Sequence, residues 1–147
     1  MDPDTAITAV GRAIQLSVAP VFLLSAIGAM LAVMTNRLSR LVDRGRLAEA
    51  RLAEGPPAEA AHWHHELAVI SRRAKLVNRA ITLLTVTALL VCLVIASMFI
   101  AASFDIHAAK GVAVLFVAAM ATFFAALLVF LREIFVATST LRLGPPR

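Results

Sequence analysis

The sequence predicts an all-α membrane protein with three transmembrane helices, the first two extended into a cytoplasmic antiparallel coiled-coil hairpin. Three observations carry this expectation. Ile14 to Met34, Ala80 to Phe104 and Gly111 to Leu131 are apolar runs free of Asp, Glu, Lys, Arg and His. The polar stretch between the first two keeps a heptad rhythm of apolar residues, and the basic residues crowd to one side of the runs. At about 1.5 Å of rise per residue, each run matches or exceeds the roughly 30 Å of hydrocarbon in a bilayer, where only a helix satisfies its own backbone. A chain of 147 residues that is 61% hydrophobic, with a mean hydropathy of +0.87, carries too little polar surface for a soluble domain of that size. The whole chain, 1–147, therefore reads as a single membrane domain.

The first run, 14–34, has the length of a secretory signal. Its leader, however, carries Asp2 and Asp4 against a lone Arg12, the reverse of a positive n-region, so the run is expected to be a retained span. The second and third spans, 80–104 and 111–131, are joined by a short outer loop, 105–110. The nine residues Arg37, Arg40, Arg44, Arg46, Arg51, Arg72, Arg73, Lys75 and Arg79 lie between the first two runs, and Arg132, Arg142 and Arg147 follow the third. Only Arg12 and Lys110 fall on the other side. The positive-inside rule then places the amino terminus outside, and the loop and the carboxyl-terminal tail, 132–147, in the cytoplasm. Nucleic-acid binding is the competing reading of a basic chain. Here the arginines alternate with Asp43, Glu49, Glu54, Glu59 and Glu66 and lack interleaved aromatic residues, so no nucleic-acid partner is expected.

The segment 36–79 has the charge of a linker but the pattern of a zipper. Leu31, Met34, Leu38, Leu41, Gly45, Ala48 and Leu52 recur three and four apart, as do Trp63, Leu67, Ile70, Ala74, Val77, Ile81 and Leu84. Between them Gly55-Pro56-Pro57 stops a helix, because proline lacks the donor that would continue it. Helices are thus expected from about Ile14 to Glu54 and from about Ala58 to Phe104. Folding back at the turn pairs Leu52 with Trp63, Ala48 with Leu67, Gly45 with Ile70 and Leu41 with Ala74, small residues largely opposing large ones.

At the base of the hairpin, Arg37, Arg40 and Arg44 share one helix face, and Arg73 and Arg79 return at the same depth. This interfacial set reads either as snorkelling topology anchors or as a site for membrane lipids with anionic head groups. Near the turn, His62, His65 and Glu66 share a face and are the candidate metal ligands, whereas His64 points elsewhere. One helix rarely closes a coordination shell, so a solvated face is the competing reading, and no cofactor or resident metal is expected. In the spans, Ser17, Ser25, Thr82, Thr85, Thr87 and Ser97 are expected to return their hydroxyls to their own helices, and Pro20 to bend the first. No charged residue lies at the midplane of a span, which argues against proton-coupled transport and voltage sensing.

Small residues at four-residue spacing, Ser25 with Ala29, Gly28 with Ala32, and Ala118 with Thr122 and Ala126, offer close-packing faces to other helices. Phe116, Phe123, Phe124 and Phe130 are expected to face lipid or fill gaps. Arg132 and Glu133 follow the third span, where either could pair with the hairpin base. No phosphate loop, dinucleotide fingerprint, nucleophile elbow or zinc-protease helix is present, so the protein is not expected to be an enzyme.

The stretches Ile14 to Leu24, Asn36 to Arg44, Arg72 to Ile81 and Phe130 to Ile134 together resemble a widespread family of small bacterial membrane proteins known as a domain of unknown function. The resemblance spans nearly the whole chain. It implies a prokaryotic inner-membrane location and a single domain, and it brings no catalytic residue. The expected function is that of a scaffold or interaction protein, acting as a homo-oligomer through its hairpin on a cytoplasmic or membrane protein partner. A homo-oligomeric pore and a metal-binding membrane protein using His62 and His65 are the alternatives.

Overall fold

The apolar runs do become helices, and the helices outrun them. In a computed structural model, which describes residues 3–104 and 109–139, the chain forms α1 (Pro3–Glu54), α2 (Ala60–Phe104) and α3 (Ala109–Ser139), with a 3-10 turn at Pro57–Glu59 between the first two. All three are long and apolar enough to cross a membrane. Within their most apolar windows only 17%, 22% and 11% of residues are buried by the protein itself. The remaining apolar surface, including Phe22, Leu89, Val114, Val117 and Phe124, is exposed, as lipid-facing side chains are. Residues 105–108 of the expected outer loop and 140–147 of the tail lie outside the described residues.

The first helix begins at Pro3, well ahead of Ile14. Proline suits a first turn, where its missing N–H would have no partner anyway. The helix continues across Pro20 and ends at Glu54, as the turn motif requires. The amide of Gly55 donates to the Arg51 carbonyl at 2.9 Å, and a Cβ at Gly55 would stand only 2.5 Å from that oxygen. Glycine is therefore needed there for space. The chain restarts as a 3-10 turn at Pro57, its Glu59 amide bonded to the Pro56 carbonyl at 3.0 Å, and becomes α-helical at Ala60, slightly later than expected.

Burial follows heptad stripes along each helix. On α1 the buried positions are Ala13, Ser17, Pro20, Ile27, Met34, Leu41 and Ala48, so the stripe continues through the apolar run as well as the polar arm. The second helix carries two stripes. Ile70, Val77, Leu84 and Val91 lie on one, while Leu76, Ala80, Thr87 and Val94 lie on the other. The third has Ala119, Ala126 and Glu133, each seven residues from the last. Seven-residue spacing returns a side chain to almost the same face of a helix, so each stripe is one packing surface.

The chain divides into two compact units, Met1–Leu31 with Leu83–Ala125, and Ala32–Thr82 with Ala126–Arg147. In the first, α2 meets α3 through Thr87 and Thr122, whose hydroxyls are 3.0 Å apart. Each hydroxyl also reaches a carbonyl of its own helix, Leu83 at 2.8 Å and Ala119 at 2.9 Å. With one proton apiece, one hydroxyl donates across and the other donates back to the backbone. Ser17, Ser25 and Ser97 also return to carbonyls of their own helix, as expected. Replacing Thr87 by Val should lower stability by about 0.6 kcal/mol, the usual worth of such a bond in a membrane protein. Thermal unfolding in detergent checks this. Thr122→Val in the Thr87→Val background should add little, because the partner is already gone.

In the second unit α1 and α2 face each other across the polar arms. The Cα–Cβ direction of Gly45 meets the Ile70 side chain, an added Cβ standing 3.7 Å from Cγ2. An ion pair from Arg44 to Glu66 at 3.1 Å flanks this approach. The core here consists of Met34, Leu41, Ala48, Ile70, Leu76, Val77 and Ala80, joined from α3 by Ala126 and the side chain of Glu133.

Candidate functional site

Just past Met34 the α1 sequence turns from apolar to basic, and the spacing of Arg37, Arg40 and Arg44 sets them on one face. That face looks toward Arg73 of α2 and Glu133 of α3. Glu133 is only 1% exposed, and both its carboxylate oxygens are engaged by arginine: Oε1 lies 3.1 Å from Nη2 of Arg73, and Oε2 lies 3.1 Å from Nη2 of Arg37. The Arg73 contact is a directed hydrogen bond. The Arg37 contact has ion-pair distance without hydrogen-bond direction, and Oε2 of Glu133 and Nε of Arg73 are buried with no hydrogen-bond partner among the described residues. The guanidinium of Arg37 also stands 5.4 Å from the centre of the Phe130 ring, where a cation gains from the π face. One carboxylate thus binds three helices together.

A cleft of about 280 Å³ opens at this cluster, lined by Arg37, Arg40, Leu41, Arg44, Arg73 and Glu133. Four guanidiniums against one carboxylate leave its walls strongly positive. Arg40 is exposed and has no partner among the described residues, while Arg44 is held by Glu66. Arg79, expected with this set, is exposed and does not line the cleft. Arg132 is also exposed; of that pair, Glu133 is the residue that turns inward.

Along the expected seam, Leu41, Ala48 and Ile70 are buried, and Gly45, Leu52, Trp63, Leu67 and Ala74 are half-buried. A second cleft, of about 330 Å³, lies along this line, with Leu41, Gly45, Leu67, Ile70 and Ala74 among its walls. Trp63 donates its indole N–H to Glu59 at 3.4 Å. The candidate metal ligands are differently employed. Oε1 of Glu66 accepts from Arg44, Oε2 is 3.9 Å from Nε2 of His62, and His65 is exposed. Among the described residues no group of three or more His, Cys, Asp or Glu side chains could hold a metal ion.

One further assignment changes in part. In the third span Thr122 and Ala126 of the expected face do turn inward, but Ala118 is exposed and Ala119, fully buried, takes its place. Phe130, expected against lipid or in a gap, lies between helices beside the Arg37 guanidinium.

Residues 17–143 match the family described as a protein of unknown function, DUF2721. The chain belongs to that family. No curated protein and no solved structure matches it. The stretch that identifies this DUF2721 protein takes in Arg37, Arg40, Arg44 and Arg73 together with Glu133, the residue that sequence reasoning left out of the site. A signal for Glu133 existed: it lies seven residues after Ala126 and fourteen after Ala119, on the stripe that α3 buries.

Proposed function

We propose that this multi-pass membrane protein is a non-enzymatic interaction or scaffold protein. Its first two helices form an antiparallel coiled-coil hairpin on the cytoplasmic side of a bacterial inner membrane, and the hairpin, in a homo-oligomer, docks another protein. The carrying observation is the outer surface of the polar arm. Leu47 is 60% exposed, a large apolar side chain in a stretch otherwise rich in charge. Exposed apolar groups on a water-facing helix are stabilised when a partner covers them. The inward face is already occupied by the Gly45–Ile70 approach and the Arg44–Glu66 pair, which leaves the outward face free. Hydroxyls bonded back to their own helices favour packing over a polar permeation path.

A photoreactive amino acid at position 47, in intact cells, tests the reading. The expected result is a discrete protein adduct, of twice the chain mass if the partner is a second copy, that is missing when the probe replaces exposed Arg72. Equal, diffuse labelling from both positions removes the docking role. For sidedness, Leu47→Cys in a Cys92→Ser background should react with an impermeant maleimide only after the membrane is opened.

A further inference from the structure

We propose that the arginine cleft at the base of the polar arms is a binding site for a phosphate group, borne by an anionic phospholipid or free in solution. The cleft is bounded by Arg37, Arg40, Arg44 and Arg73, with Glu133 at its inner wall. Both oxygens of Glu133 lie at ion-pair distance from Arg37 and Arg73, so the carboxylate serves to hold those guanidiniums in place while leaving the cleft with excess positive charge. Like charges held together at a partly buried site repel, and an anion entering among them relieves that repulsion. Arginine suits a phosphate in particular, because its planar fork matches two phosphate oxygens at once. Arg40 brings a guanidinium with no partner among the described residues, and Arg73 keeps a buried Nε donor unspent.

Position favours phosphate over a carboxylate solute. Arg37 follows the apolar run that ends at Met34 by three residues, and Glu133 follows Leu131 by two. At about 1.5 Å per residue the cleft therefore stands within roughly a turn of the hydrocarbon edge, the level of phospholipid head groups. A volume of about 280 Å³ admits a phosphate with a small attached head group. This site does not depend on what the hairpin docks.

The test uses the full chain in nanodiscs of phosphatidylcholine, alone or with phosphatidylglycerol or phosphatidic acid, and separately with millimolar inorganic phosphate. The readouts are the melting temperature and the phospholipid retained in native mass spectrometry. A head-group site predicts stabilisation and retention of the anionic lipid, and a free-phosphate site predicts stabilisation by inorganic phosphate in neutral discs. Either supports the proposal, and no response to any of the three overturns it. Arg40→Gln removes one unpaired guanidinium without disturbing the Glu133 cluster, and should weaken binding about tenfold, the worth of one charge-assisted hydrogen bond. Arg79→Gln, outside the cleft, should leave binding within about twofold, since a distant surface charge is screened. Equal loss from both variants would mean diffuse surface charge, and the proposal would fail.

Discussion

Replacing Glu133 by Gln should destabilise the protein by about 3–5 kcal/mol, the range for removing one partner of a buried ion pair. Glu133 is 1% exposed and carries, among the described residues, the only negative charge in contact with Arg37 and Arg73, which are themselves 26% and 20% exposed. The glutamine amide could still accept from Arg73, but two guanidiniums would then face each other with no counter-charge. Glu133→Ala removes the acceptor as well and should be worse. The loss arises from stranded arginines, so removing the charges together should recover most of it. The triple variant Glu133→Leu, Arg37→Leu and Arg73→Met is expected near or above the parent, because packed apolar groups often match or exceed a buried ionic triad. Midpoints of thermal unfolding in detergent, compared across the three variants, decide the matter. An unchanged midpoint in Glu133→Gln would show that solvent already screens the cluster.

Opposite signs are expected at Gly45. An alanine Cβ there would sit 3.7 Å from Cγ2 of Ile70, an ordinary van der Waals contact, inside a helix where glycine is the weaker former. Gly45→Ala should therefore stabilise by about 0.5–1 kcal/mol. Gly45→Trp must displace Ile70, a residue already buried, and should lose about 1–3 kcal/mol to overpacking. Limited proteolysis of the polar arms reads both: slower cleavage for alanine, faster for tryptophan. A destabilising alanine would mean that α1 and α2 approach more closely here than the Ile70 contact indicates, whereas a harmless tryptophan would mean they do not pack at this point.

Much of the architecture is legible in the amino-acid sequence. The three spans follow from charge-free runs, and the stop at Glu54 follows from Gly55-Pro56-Pro57. The contact between Gly45 and Ile70 lies on the register that the two heptad patterns imply. Both kinds of signal are local or periodic, which is why a one-dimensional string preserves them. The second stripe of α2 was harder to see. Ala80, Thr87 and Val94 sit in a run where nearly every residue is apolar, so hydropathy does not separate the side facing α3 from the side facing lipid. The same ambiguity set Ala118 in place of Ala119 beside Thr122 and Ala126 on the packing face of α3.

The sequence by itself determined the helical class, the number and length of the spans, the turn and the clustering of basic charge. Each depends on hydrophobic length, backbone chemistry or spacing along one helix. Only the tertiary structure decided the partners of Glu133. An acidic residue beside Arg132 reads as one that could pair with the hairpin base, and what makes it the central counter-ion is the meeting of Arg37 and Arg73, 96 and 60 positions away, around one buried carboxylate. Charge attraction acts through space and leaves no period in the chain.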